Sequence, residues 1–471
     1  GADNIQNSIY AGIAALIAVV IFMIFYYKLA GLIAVIALGT NVILVLGALA
    51  AFDSTLTLPG MAGIILTIGM AVDANVLIFE RIREELENGK SLVAAIEAGH
   101  AKAFSAVFDA NITTLFIAVI LMNFGTGPVK GFAVTLGIGI ISSLFTAIFM
   151  THLLFDFLTQ YAGISTLNMR KFLHNPKFDF LQFKKYAFTI SGILIIGTVI
   201  VCAVRGTDML SVDFTGGTLQ SFSYSEKVPV AKIEQALKSY GIPGSVTYKS
   251  NSGATNTQTM EILIRKTDNE KSKSLDETTV MLNKTFPQAK FTSSGETVVG
   301  GLIGWEFTKS AIIALLLSLL GIIAYVTFRY EFSYAVASVL ALLHDVIIAI
   351  GIYVVCGREL SLTVVAAILT VIGYSINDTI VIFDRIREAV GLYPEKSYRD
   401  IVNMSVNDTL NRTMLTSITT LLVVLVLFFF GGAAINDFVF VMLLGIIIGT
   451  YSSICISSPI VSVWHKKIGK K

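Results

Sequence analysis

"GYSINDTIVIFDRIRE" (Gly373–Glu388) closes an apolar run long enough to cross a membrane, yet Asp378 sits inside that run and "FDRIRE" then leaves the apolar register abruptly. "GMAVDANVLIFERIRE" (Gly69–Glu84) does nearly the same around Asp73. Offset by 304, the two stretches share seven identities in sixteen positions. One chain therefore places an acid twice where it is costly, and shifts it by one position.

The surroundings of these stretches are those of a polytopic membrane protein. Of 471 residues, 55% are hydrophobic and 14% charged, with a mean hydropathy of +0.77, a balance that excludes an ordinary soluble domain. A spanning helix needs about 20 apolar residues. That criterion predicts eleven spans: 9–27, 30–52, 59–79, 107–124, 131–158, 187–204, 308–327, 333–356, 361–383, 413–431 and 436–463. Cys202, Cys356 and Cys455 all fall in apolar segments and are expected as membrane-helix thiols, not as a disulfide or metal site.

Loop charge sets the topology. Lys28, the segment with Arg81, Arg83, Lys90 and Lys102, and the segment with Arg170, Lys171, Lys177, Lys184 and Lys185 fall on one side. Arg329, Arg385, Arg387, Lys396, Arg399 and the tail "HKKIGKK" share that side, whereas the short loops opposite carry only Lys130 and Arg358. The basic side is expected to be cytoplasmic, with the C-terminus there and residue 1 outside. A chain lacking an N-terminal segment with at least one further span would explain that placement.

The 304-residue offset also pairs "TNVILVLGAL" (Thr40–Leu49) with "HDVIIAIGIY" (His344–Tyr353), and an offset of 306 pairs the "ITTL" at Ile112 with that at Ile418. Helices 30–158 thus match helices 333–463 in the same order and orientation, a parallel repeat about an axis along the membrane normal. The expected organisation is a first transmembrane half over 1–158, a cytoplasmic linker over 159–186, a helix over 187–204, an external domain over 205–305 and a five-helix bundle over 306–471. By symmetry, a helix and an external domain are missing before the first half.

Residues 205–305 change character. "LSVDFTGGTLQSFSYS" (Leu210–Ser225) alternates like a strand, "VPVAKIEQALKSYGI" (Val228–Ile242) has helical periodicity, and "SVTYKS" and "TMEILIRK" read as strands around the turn-rich "NSGATNTQ" (251–258). "SLDETTVMLNKTF" is helical and "AKFTSSGETVV" extended. The order β-α-β-β-α-β predicts a small α+β ferredoxin-like domain. Gly216 and Gly217 mark a bulge or a close backbone approach.

An ionisable residue at a helix centre costs roughly 2.5–3.5 kcal/mol on insertion scales, so its default reading is functional. Asp73 and Asp378 each precede the basic end of an apolar run by about two helical turns, roughly 9 Å, too deep for a short side chain to reach water. Burial penalises an ionised carboxyl and a nearby cation favours it. A buried Asp with a movable cationic partner is therefore a proton site. The alternative is a fixed hydrogen bond between helices, with Asn75 and Asn377 as neutral examples. Arg412, in "NDTLNRTMLTSITTL", is the candidate cation; the alternative is an interfacial arginine reaching lipid phosphate.

His344 and Asp345 are adjacent, point in different directions around one helix, and serve either as a relay or as polar packing; Asn41 matches Asp345 in the repeat. His152 and Asp156 form a surface pair at i, i+4. "FERIREELENGK" and "FDRIREAV" are expected as amphipathic cytoplasmic helices. Asp73 aligns with Asn377 and Asp378 with Ala74, a shift of about 100° around a helix, while Arg412 aligns with Ala106. The acids are thus inequivalent, with Asp378 expected to pair with Arg412 and Asp73 to complete the site from across the interface.

Taken together, "GMAVDANVLIFERIREE", "VDFTGGT", "GYSINDTIVIFDRIRE" and "NRTMLTSITTL" resemble the SecDF family, membrane accessories of the bacterial Sec protein-export system. The resemblance covers essentially the whole chain. Its first half is similar to SecD and the part from about Asn168 to SecF; SecD has in addition a first helix and a large first periplasmic domain. The resemblance implies two parallel RND-like helix bundles and proton-motive-force-driven help to preprotein export. It makes Asp73, Asp378 and Arg412 the proton relay. It also implies the SecYEG translocon and, indirectly, SecA as partners, unfolded preprotein on the periplasmic side, and residence in the bacterial inner membrane; no feature of the sequence supports a cofactor, metal or nucleic acid. Two other readings stand beside it: an RND-type proton-coupled exporter of small molecules or lipids, and a scaffold whose acids serve only packing.

Overall fold

The structure is a computed structural model that describes residues 2–468, except 55, 126, 162, 165, 174, 175, 241, 243, 251–257 and 265–274. The expected turn over 251–257, the end of the strand "TMEILIRK" and the last lysines lie outside the described residues.

Among the described residues, eleven helices are long and apolar enough to cross a membrane. In the first half these are α1 (Ala2–Tyr27), α2 (Leu29–Ala51), α3 (Leu58–Glu87), α4 (Leu92–Phe124) and α5 (Pro128–Phe145), which continues through a π-turn at Thr146–Met150 into α6 (Thr151–Gln160). In the second they are α7 (Lys184–Arg205), α11 (Gly301–Arg329), α12 (Phe332–Val355), α13 (Leu362–Leu392), α14 (Tyr398–Phe430) and α15 (Ala433–Ser452), which runs through a π-turn at Ser453–Ser457 into α16 (Ser458–Ile468). The π-turns fall at matching points of the two halves, so the repeat extends to a local defect in helical bonding.

Several helices overrun the predicted spans. "FERIREELE" of the first stretch and "FDRIREAV" are not separate helices but the ends of α3 and α13, and α4 and α14 begin about four turns before their apolar runs. Apolar length reports only the part of a helix at hydrocarbon depth. Helical hydrogen bonding continues past it, started in α14 by the Ser397 hydroxyl accepting the Asp400 N–H at 3.2 Å and in α3 by Thr57 accepting that of Gly60 at 3.1 Å.

The halves interlock reciprocally. α3 packs on α14, and its counterpart α13 packs on α4, the counterpart of α14. Glycines make the close approach: a Cβ on Gly69 would lie 3.3 Å from Thr420 Cα, and one on Gly373 would lie 3.1 Å from Thr114 Cγ2. α3 and α13 are almost wholly buried, whereas α7 turns most of its surface outward. The centre of the molecule is thus the pair of helices that carry the membrane acids.

The extramembrane domain follows α7. After the short turn α8 (Val212–Thr215) come β1 (Gly217–Ser223), α9 (Val230–Ser239), β2 (Gly244–Ser250), β3 (Gln258–Ile264), α10 (Leu275–Thr285) and β4 (Thr292–Val299). The antiparallel sheet has the order β2-β3-β1-β4, which is the ferredoxin-like arrangement. Phe222, Ile233, Leu237, Met260, Ile262, Leu282 and Phe291 form its core. The strand expected from Leu210 begins only at Gly217, because the Ser211 carbonyl accepts the N–H groups of Phe214 and Thr215 and curls "VDFT" into a turn. Gly216 and Gly217 have φ of 68° and 126°, and a Cβ on Gly304 of α11 would meet the Phe214 carbonyl at 2.7 Å. The glycine pair is therefore a close backbone approach.

Besides the chain leading in from α7, β4 and the segment before β1 tie this domain to the membrane helices. β4 runs directly into α11. Before β1, Met209 and Leu360 share a backbone bond of 2.7 Å, Ser211 and Leu360 one of 2.8 Å, and the Asp213 carboxylate accepts the Leu362 N–H at 3.0 Å, at the first residue of α13.

Candidate functional site

α3 carries Asp73, α13 carries Asp378 and α14 carries Arg412; all three side chains are buried. Arg412 is thus an interior residue, and the interfacial alternative falls away. Its Nη2 donates to Asp73 Oδ1 at 3.5 Å, so the ion pair joins the two halves. The expected pairing with Asp378 is corrected: Asp378 Oδ1 instead accepts from Thr416 Oγ1, also at 3.5 Å. The reason lies in the interlock. Arg412 and Thr416 are one turn apart on α14, which lies in the groove between α3 and α13, and the longer side chain crosses to the helix of the other half. Asp378 remains within electrostatic reach of both Arg412 and Asp73.

Arg412 is also under-used. Its Nε and Nη1 are buried and have no hydrogen-bond partner among the described residues. A buried guanidinium carries five donors that normally find acceptors.

The polar neighbours divide. With its amide oriented to donate, Asn377 Nδ2 reaches Ala110 O and Gly373 O, both at 3.0 Å, and so bonds α13 to α4. Among the described residues, Asn75 donates only to Ala71 O of its own helix, at 3.4 Å, and makes no interhelical bond.

His344 and Asp345 do not diverge as expected. The His344 ring Nδ1 lies 2.9 Å from Asp345 Oδ1, and Nε2 lies 2.8 Å from Ser191 Oγ of α7. Asp345 Oδ2 accepts from Ser375 at 2.6 Å and from Ser452 at 2.8 Å. This network sits within the second half, every member is partnered, and among the described residues it makes no hydrogen bond to the Asp73–Arg412 pair. His152 and Asp156 lie 4.0 Å apart with both side chains well exposed.

A cavity of about 610 Å³ runs from the basic end to Arg412. Along α3 it is lined by Leu77, Glu80, Glu84 and Glu87, continuing the face of Asp73, and along α14 by Asn403, Asn407, Asn411 and Arg412. Arg412 of the ion pair therefore lines the inner end of the cavity, and Asp73 lies behind it, outside the lining.

Comparison with known proteins sets this geometry in a family. The family described as "Protein export membrane protein SecD/SecF, C-terminal" matches residues 1–160 and 278–467. The chain belongs to the SecD/SecF family. It is 34% identical to the protein translocase subunit SecDF of Bacillus subtilis over 498 residues, covering all of this chain and 66% of that protein. It is similar to the crystal structure of SecDF from Thermus thermophilus, at 37% identity and a TM-score of 0.88, covering 98% of this chain and 62% of that one. The chain thus spans less than two thirds of either SecDF. The hedgehog release protein Disp of the water bear Hypsibius dujardini shares the fold at 11% identity and a TM-score of 0.65, over 98% of this chain and 70% of that one.

Within this SecD/SecF architecture, the buried Asp109 and the half-buried Glu80 went unremarked in the sequence. Asp109 on α4 accepts from Tyr325 at 2.8 Å and from Arg329 Nε at 2.6 Å, latching α11 to the first half. It stands two residues inside the predicted span 107–124 and so resembled an edge residue; the early start of α4 buries it. Glu80 on α3 pairs with Arg83 and accepts from Tyr27 at 3.0 Å and Asn411 at 2.7 Å. It fell just past the predicted end of its span, where an acid is unremarkable.

Proposed function

We propose that this chain is the membrane engine of a proton-motive-force-driven accessory to Sec preprotein translocation. Asp73, Asp378 and Arg412 handle the proton, and the ferredoxin-like domain moves on the periplasmic side. The basic end is cytoplasmic, the membrane is the bacterial inner membrane, and the partners are the SecYEG translocon, SecA indirectly, and emerging unfolded polypeptide. Family membership supports the export context, as does the description of the Thermus SecDF as a translocon-associated membrane protein. The observation that carries the proton reading is the buried Asp73–Arg412 pair, which spans the two halves at the head of an open cavity.

The mechanism follows from charge. Opposite charges at this range attract with a gross energy of about 5 kcal/mol at an effective dielectric of about 20. That is close to the roughly 5.5 kcal/mol needed to turn a 1:99 equilibrium into 99:1. Protonation of Asp73 removes the attraction, and Arg412 then turns its free Nε and Nη1 toward Asp378. α14 shifts between α3 and α13, and α13 carries the shift to the domain through the Asp213–Leu362 bond.

Asp378→Asn and Asp73→Asn are each expected to leave a folded, inserted protein that no longer stimulates export in vesicles with an imposed proton gradient. Normal stimulation in Asp378→Asn would sink the proton reading. Proton-coupled efflux of small molecules or lipids by the reconstituted chain would favour an exporter instead.

A further inference from the structure

Asn403, Asn407 and Asn411 recur every four residues on one face of α14. Each accepts a backbone N–H from the linker between the halves: Phe180 to Asn403 at 3.0 Å, Phe178 to Asn407 at 2.9 Å and Leu173 to Asn411 at 3.4 Å. Asn403 and Asn407 also donate back to Phe178 O, at 2.9 and 2.8 Å. An asparagine offers donor and acceptor together, so this ladder holds backbone groups that pair with no strand among the described residues. The ends are clamped as well. Arg83 donates to Arg170 O at 3.1 Å, Lys171 meets Glu87 at 2.9 Å, and Arg399 meets Asp179 at 2.7 Å.

The ladder is no demand of the repeat, because the positions 306 earlier hold Glu97, Ala101 and Ser105. It also lies where it matters. Lys171, Leu173, Pro176 and Lys177 of the linker wall the cavity whose inner end is Arg412. The innermost rung, Asn411, directly precedes Arg412 in the chain and donates to Glu80 at 2.7 Å and to the Tyr26 hydroxyl at 3.2 Å.

We propose that linker residues 170–173 and 176–180 form the gate of this cavity, and that Asn411 is the positioning residue through which the docked linker holds the turn carrying Arg412. Docked, the linker narrows the cavity to its present opening and fixes that turn from α1, α3 and its own backbone. Lifted, it admits bulk water and frees the turn. The role of the gate in proton access rests on the function proposed above, but its existence does not.

The test starts from a background with Cys202, Cys356 and Cys455 changed to Ser and a Leu77→Cys reporter in the cavity wall. A membrane-impermeant maleimide is added to inverted vesicles without a gradient. Asn403→Ala/Asn407→Ala, which releases the linker without touching the contacts of Asn411, is expected to raise the labelling rate at least about tenfold. Asn411→Ala is expected to do likewise, with both variants eluting as the parent does in detergent. Labelling of the double variant at the parental rate would overturn the gate. So would a rise confined to Asn411→Ala, which would assign the effect to Glu80 and Tyr26 alone. Asp378→Asn should leave labelling unchanged, so loss of export in that variant and failure of the gate are separate results.

Discussion

Arg412 is one cation set between two acids with a single acceptor engaged among the described residues, and the proposed function rests on that imbalance. A lysine would keep the charge but lose the planar fork that can serve Asp73 and then Asp378 through different nitrogens. Arg412→Lys is therefore expected to insert and melt close to the parent, since the buried carboxylates keep a counter-ion. Gradient-dependent export stimulation should nevertheless fall at least about tenfold, measured in vesicles with an imposed gradient. Undiminished stimulation would mean that a point charge suffices and that the unpartnered Nε and Nη1 have no second acceptor to find. His344 and Asp345 are the contrast. Their network is fully partnered, which suits rigid packing better than a moving charge.

The two glycine crossings, Gly69 on Thr420 and Gly373 on Thr114, are places where helices of the two halves approach closely. Gly69→Val and Gly373→Val each add a branched side chain at a backbone approach too close for it. Overpacking of this kind costs about 1–3 kcal/mol, and a lower melting temperature with impaired export is expected for each. The same changes at Gly39 or Gly47, where an added Cβ meets nothing within 4 Å, should melt like the parent. These crossings also show what the sequence could and could not convey. Offsets of 304 and 306 give the parallel repeat, and apolar length gives the eleven spans, because both are properties of a single segment. The partner of Arg412 was misassigned because it depends on which groove α14 fills, and register says nothing about a helix of the other half. Asp109 and Glu80 escaped for a related reason: helices α3 and α4 extend beyond the apolar windows used to judge depth.

At the scale of the molecule, a proton event between α3, α13 and α14 can do work only if it reaches the extramembrane domain. α11 is continuous with β4 but lies outside the acid-bearing trio. The connection from α13 is the short seam of Met209, Ser211 and Asp213 against Leu360 and Leu362. Its side-chain contribution is the Asp213 carboxylate at the first residue of α13, where a negative charge suits both the unpaired N–H and the helix dipole. Loss of such a cap costs about 1 kcal/mol, and Ser361 still accepts from Val364 N at 3.3 Å, so Asp213→Ala should fold. If the seam transmits the motion, Asp213→Ala will keep gradient-driven proton flux, followed with a pH-sensitive dye in vesicles, while export stimulation drops several-fold. Parallel loss of flux and stimulation would show that Asp213 only supports α13. Unchanged stimulation would move the coupling to α11 and the β4 junction.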